Sequence, residues 1–263
     1  MRNYFLMGCF CLLLPACMGG EARQEEQAAD TLADTQWLQG VWLDDNTESP
    51  VFKIKGDSIY YASQINAPLK YDLKNDTLTI YGVETVHYPL ERCQEQALQF
   101  RTPVGDMVSL HKSDNDSAFV ALSVTGPEKK EVISKDLAVM YQGKRYRGYV
   151  YINPTSIKVV RPSLTEEGLT MDNVYYDNVI HICVYQGKQR LYAKDITRQM
   201  FSSVVPDDYL KMSILSDMDF IGVDAEGYHY LATLCIPDGA SCYNVEFTID
   251  RDDQLSFSSA DVE

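Results

Sequence analysis

The sequence predicts a mainly β fold: an N-terminal antiparallel β-barrel or meander, followed by an antiparallel sheet with two short helices that make a small α+β part. Three observations carry that expectation. Between residues 37 and 126, apolar and polar residues alternate in runs of three to five, the period of a half-buried strand. Turn-forming pairs rich in Gly, Asn and Asp fall between those runs at short, regular intervals. A helical period appears in one place only, after residue 194.

The first element is not part of the fold. Tyr4 to Leu14 is an apolar run of 11 residues, too short for the roughly 20 of a spanning helix and of the length of a signal-peptide core. It ends in Leu14-Pro15-Ala16-Cys17, a small residue followed by cysteine. This resembles the bacterial lipoprotein signal, at which a diacylglycerol is attached to the cysteine sulfur before cleavage just ahead of it. The resemblance implies a signal peptide over residues 1–16, lipidation of Cys17, and a mature protein anchored to a membrane of the cell envelope. Plain secretory cleavage near Ala16 is the alternative. Residues 17–36 are rich in Glu, Gln, Ala and Asp and hold little apolar surface. Such a segment cannot bury enough to order itself and reads as a flexible acidic tether.

Residues 37–126 form the expected β domain. Eight runs read as strands: Val51–Ile54, Ser58–Tyr61, Leu69–Tyr71, Thr77–Tyr81, Val86–Leu90, Leu98–Phe100, Met107–Leu110 and Phe119–Leu122. Gly56-Asp57, Asn75-Asp76 and Gly105-Asp106 are among the turns between them. An open sheet of that size exposes two pairing edges, so closure into a barrel or a strongly curved sheet is expected.

Gly126-Pro127 and the charged run after it mark the boundary with residues 127–263. Strands are expected around Leu137–Tyr141, Arg145–Ile152, Ser156–Arg161, Val174–Tyr185 and Arg190–Ala193. Ile196, Met200 and Val204, spaced by four with Phe201 and Val205 beside them, predict a helix that Pro206 ends. A second short helix opens at Pro206-Asp207-Asp208, with Leu210 and Ile214 on one face and acids in its first turn. Strands return at Tyr228–Ile236, Cys242–Ile249 and Leu255–Ser258.

Composition narrows the partners. With 23 basic against 38 acidic residues the net charge is −15, and loss of residues 1–16 removes Arg2 and no acid. Nucleic acid is excluded as an expected partner, because its phosphates need Lys and Arg to displace counterions. Electrostatic docking onto anionic lipid is excluded for the same reason. Contact with the membrane is expected through the N-terminal lipid alone. Beyond the anchor, four cysteines remain: Cys93, Cys183, Cys235 and Cys242. Cys235 and Cys242 flank a Pro237-Asp238-Gly239 turn between two strand-like runs, which places them across a hairpin within disulfide reach. An oxidising compartment permits that bond; two free, buried thiols are the alternative, since Cys packs as a small apolar residue.

A search for chemistry finds no catalytic, cofactor or metal motif. No Gly-x-Ser-x-Gly elbow and no glycine-rich phosphate loop is present. The four histidines lie in strand-like runs. His181 and Cys183 share a strand face, but nothing else in the sequence supplies the further ligands zinc needs, so they read as a core pair. Asp217-Met218-Asp219 begins like a calcium loop, yet Tyr228 stands where its bidentate Glu belongs. The single basic-aromatic cluster is Lys144, Arg145, Arg147, Tyr149 and Tyr151, a candidate patch for stacking on a glycan or receiving an acidic partner.

Two resemblances add to this. Gly40-Val41-Trp42 opening a first strand, followed by the eight-strand meander, is similar to the start of a lipocalin-like barrel. Tyr141–Tyr146, Asp177–Ile180, Lys194–Leu215 and Leu231–Pro237 resemble an uncharacterised group of Bacteroidetes lipoproteins, domain of unknown function 4738, over roughly residues 128–258. That resemblance implies an envelope location, on the periplasmic or surface side of an outer membrane, and carries no functional residues. The expected function is a non-catalytic binding or assembly module whose partner is a small ligand or an envelope protein. The alternative is a hydrolase acting on glycan or peptide polymer.

Overall fold

A computed structural model describes residues 35–62, 66–115, 119 and 131–262, with side chains to residue 257. The signal-peptide span 1–16, Cys17 and the tether up to residue 34 lie outside the described residues, as do Val120–Leu122 and the boundary run 126–130. Among the described residues no helix is long and apolar enough to cross a membrane.

After a single helical turn, α1 (Thr35–Leu38), eight antiparallel strands close a barrel. They are β1 (Gly40–Asp44), β2 (Pro50–Lys55), β3 (Ser58–Tyr61), β4 (Leu69–Lys74), β5 (Thr77–Tyr81), β6 (Thr85–Gln94), β7 (Ala97–Arg101) and β8 (Met107–Lys112). Each strand pairs with the next, and β1 returns to β8 with Trp42 opposite Lys112. The strand expected to open at Gly40 and the first seven of the eight runs after it make up the eight. Gly40–Asp44 is the closing strand, whereas Phe119, the described start of the expected last strand, is buried but belongs to no strand. Turn chemistry explains the tight hairpins: Asn75 and Asp76 both adopt positive φ (49° and 54°), the backbone of a two-residue turn that follows strand twist.

Alternation sends every second side chain inward, and the barrel is filled by them. Trp42, Phe52, Ile59, Leu78, Tyr88 and Phe100 are all fully buried in one cluster. An eight-stranded barrel is just wide enough for its own side chains, and here they occupy it.

The second half is two four-stranded antiparallel sheets rather than one. The first has the order β12-β11-β10-β9, built from β9 (Ile133–Tyr141), β10 (Lys144–Leu164), β11 (Thr170–Gln186) and β12 (Gln189–Ile196). The second runs β13-β14-β15-β16, from β13 (Ile214–Val223), β14 (Tyr228–Cys235), β15 (Cys242–Ile249) and β16 (Leu255–Val262). Val150, Ile182 and Val184 from one sheet and Met218, Tyr230 and Phe247 from the other share a single core, which makes the pair a sandwich. Gly148 permits the closest approach: a Cβ there would sit 2.2 Å from the ring of Phe220.

The expected helix over 196–205 is not formed. Ile196 is taken by β12, where it pairs with Ile180, and the chain then makes a 3-10 turn over Arg198–Phe201. The buried apolar residues are Ile196, Phe201 and Val205, whereas Met200 and Val204 only flank the core. The second helix, α2 (Asp207–Met212), starts after Pro206 as expected, with Leu210 buried, but Ile214 already belongs to β13.

β10 and β11 outrun their neighbours. β9 accompanies β10 only as far as Ile152, and β12 accompanies β11 only from Ile180. Beyond a bulge at Pro154–Lys158 the two continue as a two-stranded arm over Lys158–Leu164 and Thr170–Tyr176. Its tip closes the end of the barrel. Leu169 is fully buried in the barrel core, with Met171 packed alongside. The Tyr61 hydroxyl donates to the Thr170 carbonyl (2.7 Å), and the Thr170 N–H donates to the Tyr88 hydroxyl (2.7 Å). Barrel and sandwich are therefore parts of one compact unit.

Candidate functional site

The face of β10 turned away from the sandwich core carries Arg145, Arg147, Tyr149 and Tyr151 at every second position, as strand alternation requires. The register of β11 sets Tyr185 opposite Arg147, Cys183 opposite Tyr149 and His181 opposite Tyr151. Together they line an open trough of about 580 Å³. Four members of the predicted basic-aromatic cluster are thus side by side. Lys144, the fifth, is exposed at the β9–β10 hairpin with the opposite parity and stands outside the trough.

The aromatic groups form a ladder. The rings of Tyr149 and Tyr151 are parallel to within 7°, centroids 6.2 Å apart, and Tyr185 meets Tyr149 edge-on at 5.7 Å. His181 lies 6.3 Å beyond Tyr151, and the Arg147 guanidinium sits 5.1 Å from the centre of the Tyr149 ring. The carboxylates on this face are already engaged. Asp136 accepts from Arg147 at 2.6 Å, and Asp195 accepts from Nδ1 of His181 at 2.6 Å. Among the described residues, no protein group hydrogen-bonds the hydroxyls of Tyr149, Tyr151 and Tyr185 or pairs with the Arg145 guanidinium. Arg190 faces Tyr185 across the β11–β12 pairing and adds a further cation to this face. The unused groups of the trough are guanidinium N–H donors and phenol hydroxyls, which both donate and accept.

A thiol, an imidazole and a carboxylate, Cys183, His181 and Asp195, occur together here, which invites comparison with a nucleophile, base and orienter. The geometry does not assemble that machinery. Cys183 is buried, its thiol is held above the ordinary range by that burial, with Arg190 pulling weakly the other way, and it makes no hydrogen bond with His181. A thiolate nucleophile needs the opposite environment.

Sequence reasoning missed Tyr185 and Arg190, and read His181 and Cys183 as a core pair. Cys183 is buried as that reading requires, but half-buried His181 opens on the trough. The missing signal was long-range: only the β10–β11 register brings residues 30 or more positions apart onto one face.

The remaining expected features fall elsewhere. Cys235 and Cys242 are directly opposed in the β14–β15 hairpin and joined by a disulfide, while Cys93 and Cys183 remain buried thiols. The calcium-like run at 217–222 is strand β13, and Asp217 and Asp219 both hold Lys135 of β9, at 2.6 and 2.9 Å. A second hollow of about 430 Å³ at the barrel end is lined by Asp44, Asp106, Glu166 and Glu167 among others. Among the described residues no three His, Cys, Asp or Glu side chains converge as metal ligands. Comparison with curated proteins finds no match. The model of one protein family does match, over residues 112–257, from the last residue of β8 into β16, so that it takes in both sheets and the trough. The chain belongs to that family, Domain of unknown function (DUF4738).

Proposed function

We propose that this protein is a lipid-anchored, non-catalytic binding module of the bacterial cell envelope that takes its ligand in the trough on β10 and β11. The observation that carries the reading is the ladder of Tyr149, Tyr151 and Tyr185 beside Arg145, with hydrogen-bond donors turned to solvent and no protein acceptor opposite them. Two further observations support it. The barrel is filled by its own side chains, which directs attention to the outer face of the sandwich. The raised thiol of Cys183, apart from His181, favours binding over thiol chemistry. Anchoring is supported by Leu14-Pro15-Ala16-Cys17 behind its apolar run.

Two experiments test the reading. The Cys17→Ala variant is expected to lose labelling by an alkyne-palmitate analogue and to leave the membrane fraction; persistent labelling would overturn the anchor. Immobilised intact lipoprotein in detergent is expected to retain material from envelope extracts that the Tyr149→Ala/Tyr151→Ala variant does not. Identical retention by both would overturn the trough as the binding site.

A second reading, assembly with an envelope protein, is favoured by β9. It is the outer strand of its sheet among the described residues and exposes Ile133, Leu137 and Met140, and a long apolar edge strand is a template for pairing with another chain. Capture of the intact lipoprotein with a stoichiometric envelope protein, lost on Leu137→Lys, is the result expected of it.

A further inference from the structure

Resting on the trough as the binding site, we infer that its ligand is an acidic carbohydrate chain. Charge is the first ground. Of the ionic groups on this face, Arg147 and Asp136 form an ion pair, and Asp195 accepts a hydrogen bond from His181. Arg145 in the trough and Arg190 beside it have no ion pair among the described residues; two guanidinium groups against the single carboxylate of Asp195 leave this face positive on a chain whose net charge is −15. A guanidinium in that state is matched by a carboxylate, which it can hold with two parallel hydrogen bonds.

Polar complementarity is the second ground. Three phenol hydroxyls offer donors at intervals along the ladder. A ligand that satisfies these hydroxyls must present both oxygen acceptors and O–H donors, and a carbohydrate presents both on every unit. The aromatic groups fit the same ligand, since the electron-rich faces and the hydroxyl-bearing edges of tyrosine meet both its C–H and its O–H groups.

Shape is the third ground. Sites for small molecules are enclosed and bury most of the ligand surface. This trough is open and runs from Arg145 to Tyr151, roughly 20 Å along an extended strand, the form that suits a chain passing over it. A single-stranded nucleic acid also stacks on tyrosine, but it carries a phosphate on every unit against two unpaired arginines and a strongly acidic molecule.

The test uses the full-length lipoprotein in detergent micelles with polygalacturonate as probe, dextran as its neutral counterpart and single-stranded polyuridylate as the competing polyanion. Binding of polygalacturonate is expected, weakened by added salt and reduced about tenfold or more by Arg145→Glu and by Tyr149→Ala/Tyr151→Ala. Both variants change exposed or half-exposed side chains, and unchanged melting temperatures certify their fold. Trough-dependent binding of dextran as strong as that of polygalacturonate would overturn the acidic class and leave the binding reading standing. Stronger binding of polyuridylate would also overturn the inference. No trough-dependent binding of polygalacturonate would overturn it outright, and identical retention of envelope material by wild type and variant would remove the binding reading with it.

Discussion

Asp177 and Arg198 are the only oppositely charged pair among the described residues in which both side chains are almost entirely removed from solvent. Their 3.0 Å contact fixes the 3-10 turn to the sheet. Arg198 also donates to the carbonyls of Leu210 and Ser213, and Asp177 accepts from the Leu215 N–H at 2.9 Å. Breaking a buried pair strands a charge at a cost of about 3–5 kcal/mol. Arg198→Met is therefore expected to lower the free energy of unfolding in urea by that amount, with Arg198→Met/Asp177→Asn recovering part of it. Asp172 is a different case. Its carboxyl is buried against the β5–β6 turn, where one oxygen accepts the Val83 N–H at 2.8 Å. Burial raises its pKa above the ordinary 3.8; the Val83 bond opposes this and the nearby Glu84 adds to it. The buried phenol of Tyr61 is itself raised, mainly by burial, with Tyr88 and then the charge of Asp172 adding to it. A carboxyl raised on folding stabilises the folded state fully below its unfolded pKa, and that contribution is lost as pH rises through the folded value. Asp172→Asn, which keeps an acceptor for Val83, is thus expected to gain on the wild type between the acid range and neutrality. Urea titrations at a series of pH values check this; a pH-independent difference would contradict it.

At the scale of elements, the β14–β15 hairpin is where local sequence was most legible. Pro237-Asp238-Gly239 announced a turn, and the cysteines flanking it fell directly opposite each other. The hairpin also buttresses the arm: Arg161 donates to the Pro237 carbonyl at 2.6 Å, and the Tyr175 hydroxyl donates to Asp238 at 2.6 Å. Burial and that carboxylate push the Tyr175 phenol up to about 12. Closing so short a loop restricts the unfolded chain by about 2 kcal/mol. Cys235→Ser/Cys242→Ser is expected to lose up to that much stability, and reducing agent should lower the melting temperature of the wild type but not of the variant. The barrel strands were legible for a similar reason, since each hairpin is a local event and the period of two is unambiguous. Two failures show where local signals stop. The spacing of Ile196, Met200 and Val204 fits a helix in isolation, but Ile196 is worth more paired with Ile180, and the Arg198–Asp177 contact pins the next turn. Strand β13 was hidden because its acids suggested a metal loop, although Met218 and Phe220 alternate with Asp217 and Asp219 just as a strand's residues do. Half of the trough was written in one strand; the other half depends on register across a hairpin whose arms run 21 and 17 residues.

For the molecule as a whole, that same hairpin is the tie between halves that the sequence presents as separate. A two-stranded ribbon is marginal by itself, so the arm from Lys158 to Tyr176 must draw its order from what it touches. It touches the barrel through a small set of contacts: Leu169 in the barrel core, Thr170 between Tyr61 and Tyr88, the Asn66–Asn173 bridge, and Asp172 under the Val83 turn. These residues close the end of the barrel that would otherwise expose its core, and they make the stability of one half depend on the other. Removing the Leu169 side chain by Leu169→Ala leaves a cavity and is expected to cost about 2–5 kcal/mol. Leu169→Asp goes further, because an unpaired carboxylate cannot remain in that core and the tip must withdraw. Calorimetry of the wild type is expected to show one transition in which the calorimetric and van't Hoff enthalpies agree. In Leu169→Asp the transition should split, the barrel melting first and the sandwich near the wild-type temperature, while Leu169→Met keeps a single transition. A single, uniformly lowered transition in Leu169→Asp would mean that the halves are coupled by something other than the hairpin tip. Because the trough lies on the sandwich end of the same two strands, the split variant should still bind whatever the wild type binds at temperatures between the two transitions.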